Sequence, residues 1–356
     1  MISVKAPGKL YIAGEYAVVE TGFPAIIVAL DQFVKVTVST ADQFGSIMSK
    51  QYQENSLYWT RENDRMVFDD RDNPFHYILS AIKLTEEYAK TLNKPLGLYH
   101  LKINSELDSD DGKKYGLGSS AAVTVATIHA LCQFYELPLD KDRLFKLAAI
   151  AHFEVQGNGS LGDIAASVYG GWIAYHSFDR EWLKLARKNY DLPQLLTEKW
   201  PGLKVDLLTP PADLKLMIGW TGSPASTSHL VDKVALAKAK DDMDYQTFLN
   251  ESKKCLLAMI EGFKRGDLAA IKTEISRNRQ ILAGLSRLSG VIIETENLKQ
   301  LCDIAEHFNG AAKSSGAGGG DCGIVIIDKN VPTTALIAEW QKNAIEPLNF
   351  NVHTLN

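Results

Sequence analysis

The chain has 356 residues, 46% of them hydrophobic and 23% charged, an ordinary globular composition long enough to favour two domains over one. A formal net charge of −5 counts against a general nucleic-acid binder, which needs a basic field to displace counterions, but it leaves room for a small anion where a few lysines converge. No long apolar window and no basic-then-apolar start are present, so neither a membrane span nor a secretory leader is expected, and Cys132, Cys255, Cys302 and Cys322 form no C-x-x-C pair, as in a cytoplasmic enzyme with reduced thiols.

In chain order, VKVTVS (34–39) alternates apolar and polar residues and predicts a half-buried strand; HLKINSEL (100–107) does the same. Between them Phe75, Ile78, Leu79 and Ile82 repeat at helical spacing. Ala122, Val123, Ala126 and Ala130 predict a second helix, and Leu144, Leu147, Ala148 and Ala151 a third. GGWIAY (170–175) and LKLMIGW (214–220) read as strands, separated by a charged helical stretch and a turn-rich segment, 200–212, that marks a soft domain boundary. Residues 226–289 are mostly helical by pattern, and GIVII follows as a strand.

Three glycine-bearing loops punctuate this series. In VKAPGKLYIAGEYAVV (4–19), Pro7-Gly8 turns the chain before Lys9, and Gly14 interrupts an apolar run; a β-bulge explains this as well as a cleft lysine does. In KKYGLGSSAAVTVATIHAL (113–131), Gly116 and Gly118 precede Ser119-Ser120 at a helix start. Such a start carries unpaired N–H groups and partial positive charge, so it either holds an anion or is simply serine-capped. The Walker order G-x-x-x-x-G-K-[ST] is absent, because the lysines come before the glycines. In KSSGAGGGDCGIVI (313–326) five glycines crowd eight positions, a backbone-entropy cost that suggests close approach by a ligand or another segment. A fourth segment, NGSLGDIAASVYGG (158–171), places Ser160 and Asp163 around Gly162, where Asp163 is either a helix N-terminal charge or a carboxylate turned toward a lysine.

Taken together, PGKLYIAGEY (7–16), GLGSSAAV (116–123) and KSSGAGGGDCG (313–323) resemble, in order and spacing, the three motifs of the GHMP small-molecule kinases. The resemblance spans residues 4–326. Tyr16 follows Glu15 where mevalonate-accepting members typically carry a histidine, Asp321 precedes the cysteine of the third motif, and Lys113-Lys114-Tyr115 stand before the second motif without its more usual upstream proline. These details are most similar to the bacterial branch whose acceptor is itself a phosphate, 5-phosphomevalonate.

That resemblance implies a two-domain α+β fold: an N-terminal α/β domain of the ribosomal protein S5 domain 2-like type with a left-handed βαβ unit, residues 1–200, and a C-terminal ferredoxin-like domain, 201–356. ATP and substrate would meet between them. It further implies Lys9 and Asp163 as catalytic residues, and Gly116, Leu117, Gly118, Ser119, Ser120 and Ala121 as the loop around the ATP phosphates, with Ser120 on Mg²⁺. Lys114, Ser160, Thr227, Ser228, Gly316 and Ala317 would bind 5-phosphomevalonate, and Trp220 would begin the substrate-facing segment.

The implied reaction joins two anions. A phosphomonoester is largely ionised at neutral pH, so the acceptor needs little help from a base and charge repulsion becomes the obstacle. Asp163 is then expected to orient Lys9 or the cation rather than to remove a proton. His129 and His152 fall on predicted helices without metal-ligand spacing and read as packed or surface groups; Asp179-Arg180 reads as a surface turn. Two alternatives stand beside this reading: a family member acting on an alcohol such as mevalonate or a sugar, and a nucleotide-binding sensor that has lost catalysis.

Overall fold

The computed structural model describes residues 1–50, 56–68, 74–107, 115–222, 227–238 and 242–354. The first sheet contains β1 (Ile2–Ala13), β2 (Pro24–Ala41), β3 (Gly45–Ser49), β4 (Leu57–Glu62), β5 (Arg65–Phe68), β6 (Leu98–Ser105), β7 (Trp172–His176) and β8 (Lys204–Leu208). Its order is β5-β4-β3-β6-β2-β7-β8, with β1 also paired to β2; every pairing is antiparallel except β3 with β6. Packed on it are α1 (His76–Thr91), α2 (Ser119–Phe134), α3 (Lys141–Gln156) and α4 (Gly162–Tyr169), followed by α5 (Arg180–Asn189) and α6 (Leu192–Thr197).

The 18-residue β2 is the spine of this sheet. Residues 25–30 are all fully buried, which is why that half is continuously apolar and shows no alternation. Residues 24–28 pair with β7 and 34–41 with β6. The gap between is filled by the end of the chain: His353 N donates to Ala29 O at 2.9 Å, Asp31 N to Asn351 O at 2.9 Å, and the Asn351 amide donates to Asp31 Oδ2 at 2.8 Å. α2 is buried nearly all round, from Ala121 through Cys132, so it packs centrally with alanines allowing close approach.

The second sheet is β10-β11-β9-β12, all antiparallel, built from β9 (Leu214–Trp220), β10 (Ala311–Ser314), β11 (Cys322–Asp328) and β12 (Glu346–Leu348). With α7 (Thr227–Lys238), α8 (Asp242–Arg265), α9 (Leu268–Ser289), α10 (Glu296–His307) and α11 (Thr334–Lys342), the βαββαβ order gives the ferredoxin-like arrangement.

Two expectations change. The turn-rich segment after residue 200 contains β8, which closes on β7, and residues 351–353 return to β2; the change of sheet therefore falls between Leu208 and Leu214, and the chain's end belongs to the first sheet. β8 was hidden because its exposed edge gives KVDLL only weak alternation. Among the described residues no helix is long and apolar enough to cross a membrane.

Candidate active site

All three glycine loops and the α4 entrance open into one cavity of about 240 Å³. The first wall comes from β1. A register shift between Pro7 and Lys9 is the expected bulge, and it turns the Lys9 side chain inward while its N–H donates to Leu117 O at 2.9 Å. The Lys9 ammonium is buried, donates to Gly116 O at 3.0 Å, and forms no ion pair among the described residues. Burial lowers its pKa from the ordinary 10.5, opposed chiefly by Asp163 and then by Asp321.

The second wall is the start of α2. Gly118, not a serine, stands at its cap in the left-handed region (φ 78°), and no side chain caps the helix. Ala122 N is the first to close, onto Gly118 O at 3.1 Å, leaving the preceding N–H groups without intrahelical acceptors. Both loop glycines are needed for space. A Cβ on Gly116 would lie 2.6 Å from an Asp321 carboxylate oxygen, and one on Gly118 would lie 3.0 Å from Lys9 Cε and 3.7 Å from Asp163 Cβ.

The remaining walls cross between the sheets. Ser315 Oγ donates to Tyr11 O at 2.8 Å and Tyr16 Oη to Ala317 O at 2.5 Å, so the third glycine loop is tied to the first. Beneath them Lys313, fully buried, pairs with Glu15 and donates to Ser314 O at 2.6 Å. At the α4 entrance, Ser160 Oγ and Tyr11 Oη are 2.8 Å apart, Tyr175 Oη donates to Ser160 O at 2.6 Å, and Asp163 occupies the first turn. Burial, with Asp163 next, pushes the Tyr11 phenol far above its usual range, so it remains a neutral hydrogen-bonding group.

The structure thus gathers Lys9, Gly116, Gly118, Ser119, Ser120, Ser160, Asp163, Gly316 and Ala317 around one space. Leu117 and Ala121 turn into the core instead, because the helix start offers backbone N–H groups on its open end and apolar side chains on its packed face. Lys114 lies outside the described residues, as do the side chains of Thr227 and Ser228 on the first turn of α7. Trp220 is buried against the Tyr115 ring, with centroids 5.1 Å apart, and does not face the cavity. Lys9 and Asp163 flank Gly118 without direct pairing, so the Gly116 carbonyl, rather than Asp163, fixes the ammonium.

Two residues read as bland from sequence touch this site. Arg180 donates to Gly159 O at 2.7 Å and to Val19 O, supporting two cavity-lining segments from behind, while Asp179 caps α5 through Trp182 N at 2.9 Å. His152 is fully buried with Nε2 3.1 Å from Ser120 Oγ, and burial lowers its pKa so that it is a neutral imidazole. Neither contact leaves a local signal, since each joins segments at least 21 residues apart.

A second cavity of about 170 Å³ adjoins across Ser119 and Ser120, lined also by Phe75, Tyr77, Ile78 and Val123. A groove of about 650 Å³ between the β4–β5 hairpin, α1 and α3 is larger, yet it has no glycine loop, and its charges answer each other: Lys83 lies 3.8 Å from Glu154 and Arg61 is bidentate on Glu86. Size does not make it the reactive site.

Among the described residues no three His, Cys, Asp or Glu side chains cluster as metal ligands. The 240 Å³ cavity does offer oxygen donors: Ser120, Asp163, Asp321 and Glu15, whose Oε2 is buried without a partner among the described residues. Mg²⁺ is ordinarily held by one or two protein oxygens completed by phosphates and water, so this donor set fits an ion arriving with a nucleotide.

Residues 76–171 match the GHMP kinases N terminal domain model and residues 259–345 the GHMP kinases C terminal model. The chain is 39% identical over 355 residues to a phosphomevalonate kinase from Streptomyces sp. (strain CL190), covering 96% of this chain and 95% of that one. This chain belongs to the GHMP kinases. A Streptococcus pneumoniae phosphomevalonate kinase, solved in complex with phosphomevalonate and AMPPNP, matches this GHMP kinase with a TM-score of 0.86 and 31% identity, over 99% of this chain and all of that one. A Methanocaldococcus jannaschii mevalonate kinase is 26% identical, covering 97% of this chain and 98% of that one.

Proposed function

We infer that this GHMP kinase transfers the γ-phosphoryl group of MgATP to the 5-phosphate of (R)-5-phosphomevalonate. The products are 5-diphosphomevalonate and ADP, a step of the mevalonate pathway of isoprenoid biosynthesis, carried out in the cytoplasm. The observation that carries this reading is the convergence of a buried lysine, without an ion pair among the described residues, and three glycine loops on one cavity, in a chain 39% identical to a relative of that name and 26% identical to a mevalonate kinase.

The geometry suits phosphoryl transfer between anions. Two unit charges 4 Å apart repel by about 4 kcal/mol at an effective dielectric of about 20, so local positive charge must offset the approach. Lys9 supplies one fixed cation, and the open N–H groups of α2 supply oriented dipoles. Ser120 would hold Mg²⁺, which when bound would supply positive charge against the phosphates. The adjoining cavity, with the Phe75 and Tyr77 rings in its wall, suits the nucleoside end, and the Ser160, Gly316 and Ala317 side of the first cavity suits the acceptor. Asp163 lies where it raises the positive character of Lys9, which supports a charge-orienting role.

The test is ADP release from ATP with mevalonate, 5-phosphomevalonate and galactose offered separately. At least a hundredfold preference in kcat/KM for 5-phosphomevalonate is expected. Comparable turnover on mevalonate would replace the acceptor assignment, and tight MgATP binding without ADP release from any acceptor would point to the sensor.

A further inference from the structure

His152 lies wholly inside the first domain near the end of α3. Its ring stacks on Tyr77, with centroids 4.7 Å apart and planes at 27°, and its Nε2 sits 3.1 Å from Ser120 Oγ. Nδ1 has no partner among the described residues. A neutral imidazole carries one N–H and one lone pair, and a buried N–H without an acceptor is rarer than an unmatched acceptor. The proton therefore belongs on Nε2, donated to Ser120 Oγ.

A serine hydroxyl has one proton and two lone pairs. With one lone pair occupied from the α3 side and the hydroxyl also hydrogen-bonded to the Tyr77 side chain, one lone pair remains for whatever lies in front. Ser120 borders both cavities, with Lys9 and Asp163 on one side and Phe75 and Ile78 on the other. It is thus the hinge point between the space suited to phosphates and the space suited to a nucleoside.

We propose that His152 is a positioning residue for the nucleotide: its Nε2–H fixes the Ser120 hydroxyl so that the remaining lone pair faces the cation that accompanies the phosphates. This rests on the reading of Ser120 as a nucleotide contact. It gives a purpose to a buried polar side chain that packing alone would exchange for an apolar one of similar volume.

A double-mutant cycle on the full-length protein tests it, reading MgATP affinity by calorimetry with no acceptor present. His152→Phe keeps an aromatic ring against Tyr77 and removes the donor; it should weaken MgATP about tenfold, the size of one hydrogen bond. Ser120→Ala should lose a similar factor, and the double variant no more than either single. His152→Gln, which restores an amide N–H, should recover most of the affinity. Unchanged affinity in His152→Phe, or a full additional loss when it is added to Ser120→Ala, would overturn the proposal. If His152→Phe does not fold, His152→Leu takes its place under the same two outcomes. Because the cycle contains no acceptor, its failure is distinct from failure of the acceptor assignment.

Discussion

Two lysines are buried beside the same cavity and are held in opposite ways. Lys313, on β10, meets the Glu15 carboxylate and the Ser314 carbonyl, so its charge is cancelled where it lies. Lys9, on β1, has only the Gly116 carbonyl as a hydrogen-bond partner and no carboxylate in ion-pair contact among the described residues. The first lysine straps the first motif to the third. The second has no carboxylate in contact among the described residues, which is what its proposed role at a phosphate requires; the contrast between the two lysines lies in the acceptor each has been given.

Removing the strap should have the largest effect, and on stability. Lys313→Met leaves the Glu15 carboxylate buried and unpaired, a loss of about 3–5 kcal/mol in urea denaturation. Adding Glu15→Gln should restore part of that loss, because the uncompensated charge is then gone. If Lys313→Met were as stable as the parent, the contrast between the two lysines would collapse.

Lys9→Met should do the reverse. It should lower kcat by roughly 10²–10³-fold while leaving the urea midpoint near the parent's, since a burial penalty disappears along with the charge. Its pH dependence sharpens the point. A lysine whose pKa is lowered loses its proton as pH rises through a value below 10.5, so the alkaline limb of the kcat/KM profile, which reports the ligand-free enzyme, should fall there. Asp163 opposes that lowering; Asp163→Asn should move the limb to still lower pH. An alkaline limb that stays in place in Asp163→Asn would separate the two residues.

The smallest effect is expected at Gly118→Ala. A non-glycine residue in the left-handed region costs about 1–2 kcal/mol, and the new Cβ would press on Lys9 Cε from 3.0 Å. A loss of that size in urea denaturation, with a fall in turnover, would show the loop glycine serving both backbone and lysine. Lost stability with intact turnover would confine it to the backbone.

Much of this was legible in the chain itself. Period-2 and helical spacing located β6, α1, α2 and α3 because each buries one face or is buried throughout, and the glycine motifs marked where backbone approaches closely. The residues that support the cavity lining from behind were not legible in the same way. Arg180 looked like part of a surface turn and His152 like a packed helix residue, since sequence carries no trace of a contact made across 21 or 32 positions. β8 was missed for a different reason: an edge strand paired on one side has little need of alternation.

The sequence by itself determined the order of the glycine motifs, the lysine that follows Pro7-Gly8 and the helix start at Ser119, all consequences of local backbone geometry and short-range periodicity. Tertiary structure alone decided which buried lysine is neutralised, that Gly116 rather than Asp163 holds Lys9, that Leu117 and Ala121 face the core, and that the end of the chain returns to β2. Those outcomes depend on which distant segments share a volume, and charge, burial and hydrogen bonding take their values only once that volume is closed.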